Sequence, residues 1–223
     1  MDNRELWLAM VGQVMVVGSS AGYNRFMGRP DLQEKIEYQS LKDLHDDELQ
    51  LTINEVLRDA GVRYASKNVN TCGKTSALVH NYKILKNFKG GFKGLLKHLS
   101  EIKGKNAELE RVDYLMQHFK FIKNKSARDF LMERGINWHT LALDVRIQNT
   151  FQHFGIEFPT QNQLARKFIY NFIEADIIKK VCEPLGIEPM KFDRILYQNY
   201  DEIIGKNKRK GKSVFESLAF SDK

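Results

Sequence analysis

Apolar residues recur at helical spacing along most of the chain. In residues 4–17 the stripe runs through Leu6, Met10, Val14 and Val17, until Gly18, Ser19 and Ser20 break it. Residues 21–39 contain Gly28 and Pro30 and read as loop with short helical pieces. Ser40 is a candidate N-cap for one or two helices ending at Gly61. Thr75 is placed to cap the next helix, SALVHNYKILKNF, which Gly90 and Gly91 stop. Further helices are expected in FKGLLKHLSEI, in the stretch from Asn106 through ELERVDYLMQHF, and over residues 126–134 up to Gly135. Beyond Asp144 a helix runs through VRIQNTFQHF to Gly155. Pro159 and Thr160 then open a long helical stretch, and Pro189 opens the last helix, which stops at Gly205. No run alternates as a strand does, and no fixed-period repeat is present. The predicted fold class is all-α.

Charge narrows the partner. Lys plus Arg number 35 and Asp plus Glu 28, a net +7. This favours a polyanionic partner without requiring one. Two cysteines, Cys72 and Cys182, cannot make a four-cysteine zinc or iron–sulfur site, and two buried thiols in a reducing interior is the expectation. The N-terminal apolar run follows Arg4 but is amphipathic and interrupted by Gln13, so it does not read as a signal peptide. No segment approaches the ~20 apolar residues of a membrane span. A soluble intracellular monomer, in cytoplasm, nucleoid or nucleus, is expected.

Several motifs fail on spacing. CGKTS at residues 72–76 ends like a phosphate-binding loop, but Asn68 stands where that loop needs glycine. His80, His98, His118, His139 and His153 lack the i, i+4 pairing of a metal site. The basic run of Lys206, Lys208, Arg209, Lys210 and Lys212 reads as a solvated end, with Phe215, Leu218 and Phe220 as candidate docking anchors. What survives is the stretch over residues 120–147. Lys125 opens a short amphipathic helix after a tight turn, and Asp144 lies 19 residues later at the start of another. Helix, turn, helix suits a phosphate grip, because turn amides and the helix N-terminus point at the anion. Taken singly, Lys125 is a surface lysine and Asp144 a plain N-cap.

Taken together, K-S-A at Lys125, Ser126 and Ala127 and D-V-R at Asp144, Val145 and Arg146 resemble the helix-hairpin-helix DNA glycosylases of base excision repair. Residues 5–13, ELWLAMVGQ, are similar to the family's early helix, which carries a glutamine toward the lesion pocket; residues 192–197, FDRILY, are similar to its closing helix. One departure stands out. The family's hairpin glycines, two and four residues before the lysine, are here Lys123 and Phe121.

The resemblance implies two helical lobes with a DNA-binding cleft between them. Residues 26–135 would form the lobe ending in the hairpin, and residues 1–25 plus 136–223 the lobe carrying the aspartate. It implies a bifunctional glycosylase and AP lyase. Lys125 would attack the sugar C1′ and form a Schiff base, and Asp144 would help deprotonate it and stabilise the cationic sugar. The absent cysteine cluster and the present lysine leave the 8-oxoguanine DNA glycosylases as the nearest branch. Implied pocket residues are Gln13, Trp7, Trp138, Tyr197 and the terminal Lys223. Implied DNA contacts are Lys120, Lys123, Asn124, Ser126 and Arg146. The expected partner is double-stranded DNA holding a damaged base, with no membrane, cofactor or metal. A glycosylase for another damaged base, a non-catalytic helix-hairpin-helix DNA-binding protein and a helical interaction domain are the alternatives.

Overall fold

The structure is a computed structural model that describes residues 3–205. Among these no strand occurs. Fourteen α-helices follow in order: α1 (Asn3–Met15), α2 (Ala21–Met27), α3 (Pro30–Ile36), α4 (Asp46–Asp59), α5 (Gly73–Asn87), α6 (Gly91–Glu101), α7 (Ala107–His118), α8 (Asn124–Glu133), α9 (Val145–His153), α10 (Gln161–Leu164), α11 (Lys167–Ile177), α12 (Glu183–Leu185), α13 (Pro189–Gln198) and α14 (Tyr200–Ile203). A π-helical turn, Ile178–Cys182, joins α11 to α12. No helix among the described residues is long and apolar enough to cross a membrane.

The chain divides into two compact units, Met1–Asn137 and Trp138–Lys223. The first unit is built around α1, whose Leu6, Trp7, Met10, Val11, Val14 and Met15 are all buried. A helix apolar on most sides belongs inside a bundle, and α1 packs against α2, α5, α6 and α8. Residues 3–15 therefore lie in the core of the first unit, where the sequence reading had assigned them to the other lobe. The reason is plain in the side chains. Burying six large apolar groups, each worth about 1.5–3 kcal/mol, needs partners on all sides. These include Leu78, Tyr82 and Leu85 of α5, Phe92 and Leu95 of α6, and Phe130 and Leu131 of α8.

Helix starts follow local chemistry. α4 begins at Asp46 rather than after Ser40, and the Glu48 carboxylate accepts from the His45 N–H at 3.2 Å. α5 begins at Gly73, and Thr75 turns inward so that its hydroxyl donates to Asn54 Oδ1 at 2.9 Å. The second unit closes over Leu141, Leu143, Ile147, Phe158, Leu164, Tyr170, Ile177 and Leu196. Thr160 caps α10 by accepting from the Gln163 N–H, and the expected long helix is broken at Ala165 and Arg166; from Lys167 it runs on through the π-helical turn to Leu185, before Gly186.

Candidate active site

In the first unit the hairpin between α7 and α8 is held from α5. Asn81, fully buried, grips one peptide unit from both sides: its Nδ2 donates to the Lys120 carbonyl at 3.0 Å, and its Oδ1 accepts from the Lys120 N–H at 2.8 Å. The His80 Nε2–H donates to the His118 carbonyl at 3.0 Å. Arg111 of α7 donates to the Leu99, Ile102 and Ile136 carbonyls, tying the end of α6 and the chain after α8 to the hairpin helices. Phe121 takes the left-handed backbone, φ 62°, a conformation that glycine adopts without steric cost. Its ring lies over Gly73, where an added Cβ would stand 3.8 Å from Phe121 Cζ. Lys123 keeps extended backbone and opens α8, with its N–H donating to Ser126 Oγ at 2.8 Å.

Lys125 is the second residue of α8. Its Nζ donates to Asp129 Oδ2 at 2.8 Å, and Gln13 Nε2 from α1 donates to that same oxygen at 3.2 Å. The unit thus brings together two of the predicted residues, Lys125 and Gln13, through a third that was not predicted. Lys120 and Lys123 are exposed and Ser126 is half-buried. Asn124 is corrected as a side-chain DNA contact: at 3% exposure its amide faces protein. Trp7 is corrected as a pocket wall. Its indole is fully buried, donates to the Ile36 carbonyl at 2.6 Å, and packs edge-on to Tyr82 at 5.4 Å between centroids. The lysine of CGKTS is likewise committed inside: Lys74 Nζ donates to the Met15 and Val17 carbonyls at 2.9 and 2.8 Å, capping α1. Burial draws its ammonium down to about 8.

In the second unit Asp144 is the N-cap of α9. Its Oδ1 accepts from the Arg146 and Ile147 N–H groups at 2.8 and 3.1 Å, a cap typically worth about 0.5–2 kcal/mol. The residues before it belong to neither helix nor strand, so side chains take their amides in turn. Glu174 Oε1 accepts from the Leu141 N–H at 2.8 Å, Asp193 Oδ1 from Ala142 at 3.2 Å, and the Tyr170 hydroxyl from Leu143 at 2.7 Å. The Tyr170 hydroxyl also donates to the Leu141 carbonyl at 2.9 Å. Tyr170 and Glu174 are both buried and one helical turn apart on α11. The Arg146 guanidinium lies 4.1 Å over the Tyr197 ring, so these two predicted residues adjoin each other on the Asp144 helix and α13. Tyr197 is 59% exposed and Trp138 45% exposed, and both have open apolar surface. Lys125 belongs to the first unit and Asp144 to the second. Lys223, the basic run after Gly205 and the anchors Phe215, Leu218 and Phe220 lie outside the described residues.

Asp129, Asn81, Tyr170 and Glu174 escaped the sequence reading. The i, i+4 spacing of Lys125 and Asp129 was a visible signal, as was Glu174 within the apolar run FIYNFIEADII. Nothing in the sequence marks Asn81 or Tyr170 out.

No protein-family model matches the chain. No curated protein matches it either. Among solved structures it is similar to the crystal structure of the 8-oxoguanine DNA glycosylase of Thermotoga maritima, with a TM-score of 0.59 and 24% identity, covering 87% of this chain and 79% of that one. At that identity the likeness is one of fold: the described residues form helices and no strand, and they share the helical architecture of that enzyme.

Proposed function

We propose that the protein is a DNA glycosylase with AP lyase activity that removes an oxidised purine, 8-oxoguanine, from duplex DNA. The observation that carries this is the placement of Lys125 and Asp144 on a glycosylase-like fold. The lysine sits at the start of the helix after the hairpin, and the aspartate caps the next long helix 19 residues on. A base within a duplex is out of reach, so the damaged nucleotide must be extruded, at a cost of a few kcal/mol. The Lys125 amine attacks C1′ as the base leaves. The Asp144 carboxylate offsets positive charge on the sugar, the same demand that glycoside hydrolases meet with carboxylates. The resulting Schiff base leads to strand cleavage by β-elimination. Lys120 and Lys123 with the first amides of α8 hold backbone phosphate. Arg146 stacked on Tyr197 presents a second cation and an aromatic face to DNA.

The test is borohydride trapping on duplexes bearing single lesions. Wild-type protein is expected to form a covalent adduct on the 8-oxoguanine duplex. Lys125→Gln is expected to form none while still binding DNA, and Asp144→Asn to slow base release by about 100-fold or more with its fold intact. An adduct that persists in Lys125→Gln would place the nucleophile elsewhere. Binding without any adduct on every lesion would favour a non-catalytic helix-hairpin-helix protein.

A further inference from the structure

We propose that Asp129 is the proton acceptor that frees the Lys125 amine for attack. The proposal rests on the reading of Lys125 as the nucleophile and adds the group that prepares it.

Helix energetics do not account for the pair. Lys125 is the second residue of α8, where the positive end of the helix dipole disfavours a cation. Lysine preceding its acidic partner is also the weaker order for an i, i+4 pair, and such pairs contribute only about 0.2–0.5 kcal/mol. Yet the geometry is closely defined. Lys125 Nζ and Asp129 Oδ2 are 2.8 Å apart, inside the about 2.6–3.2 Å reach required of a general base. Gln13 comes from α1, more than a hundred residues earlier in the chain, to donate to the same oxygen. That contact holds the carboxylate turned toward the amine. It also comes at a cost, because the other end of the Gln13 amide, Oε1, is buried without a hydrogen-bond partner among the described residues. An unmet buried acceptor typically costs about 1–3 kcal/mol. A mere surface ion pair gives no reason to bear it.

The division of labour follows. Asp144 Oδ1 is occupied by two backbone N–H groups of its own helix, which suits a fixed negative charge beside the sugar. Asp129 touches the ammonium itself. On an abasic site the reaction begins with proton transfer within the pair. The Lys125 ammonium gives a proton to Asp129, and the neutral amine adds to the sugar aldehyde carbon. Its second proton passes to the oxygen, giving a carbinolamine. The Asp129 carboxylic acid returns its proton to that hydroxyl, which leaves as water, and the nitrogen lone pair forms the protonated imine. Asp129 ends as it began, a carboxylate.

The experiment is single-turnover borohydride trapping on an abasic-site duplex, with DNA affinity measured alongside. Asp129→Asn keeps the shape and is expected to slow trapping by about 100-fold with affinity unchanged. Asp129→Ala is expected to slow it equally and to be rescued by added formate. At 26% and 38% side-chain exposure of Asp129 and Lys125, a small carboxylate can reach the amine. Trapping by Asp129→Asn within about 3-fold of wild type overturns the proposal, since a general base is worth far more. So does a loss in Asp129→Ala that formate leaves in place, which marks a structural role. If wild type forms no adduct, or Lys125→Gln traps as fast, the nucleophile assignment falls and this one with it. If wild type traps, Lys125→Gln does not and Asp129→Asn is normal, only the present proposal falls.

Discussion

Phe121 shows how one residue sets the shape of the hairpin. A left-handed backbone costs a residue with a Cβ about 1–2 kcal/mol, and Phe121 bears that cost at φ 62° while its ring packs on the core of the first unit. The two effects are separable. Phe121→Ala loses the ring and keeps the strain; Phe121→Gly loses the ring and the strain together. The glycine variant is therefore expected to be more stable than the alanine variant by about 1 kcal/mol, as read from denaturant midpoints at a common slope. Equal stabilities would mean that the turn relaxes away from φ > 0 once the ring is gone. At this scale the sequence was legible wherever the chemistry is local. Asp144 as an N-cap needs only its own next three residues. Trp7 and Asn124 were misread because their burial depends on residues far along the chain, Ile36 and Tyr82 in the case of Trp7.

Between elements, the second unit contains a device that periodicity does not reveal. The chain just before Asp144 is neither helix nor paired strand, and three successive amides are satisfied by Glu174, Asp193 and Tyr170. A backbone fixed in this way delivers the Asp144 cap to one place. Tyr170→Phe is expected to cost about 1–3 kcal/mol of stability, because it strands a buried N–H and a carbonyl at once. It is also expected to slow base release. Glu174→Gln keeps an acceptor for the Leu141 amide and should retain most activity, whereas Glu174→Ala should not. Chemical denaturation together with single-turnover base release checks both, and matched rates in Glu174→Gln and Glu174→Ala would remove the clamp from the account. The helices themselves were legible because their apolar stripes and glycine stops are written in sequence. The π-helical turn within residues 167–185 was not, since such a turn has no residue signature of its own.

At the scale of the molecule, composition pointed to a polyanion through the net charge of +7, and it said nothing about where one would bind. The structure leaves Lys120 and Lys123 exposed on either side of the hairpin turn. If they hold phosphates, Lys120→Ala and Lys123→Ala should each lower the steepness of log affinity against log salt by about 1, uniformly across DNA sequences. Fluorescence anisotropy over a salt series reads this directly, and slopes equal to wild type would take the hairpin off the DNA. The division of the chain was legible only in part. The two units meet at Asn137 and α1 lies in the first of them, which the sequence does not tell, because amphipathic spacing says which residues are buried and never against what. The two thiols open a practical route from here. Cys72 and Cys182 are each 1% exposed, one in each unit, and reagents that alkylate cysteine act on accessible thiolates. The surface is thus silent to such reagents while the protein stays folded. A cysteine installed at Lys123 and another at Val145 would take spin labels without competition, and the separation of the labels could be followed as a duplex is added.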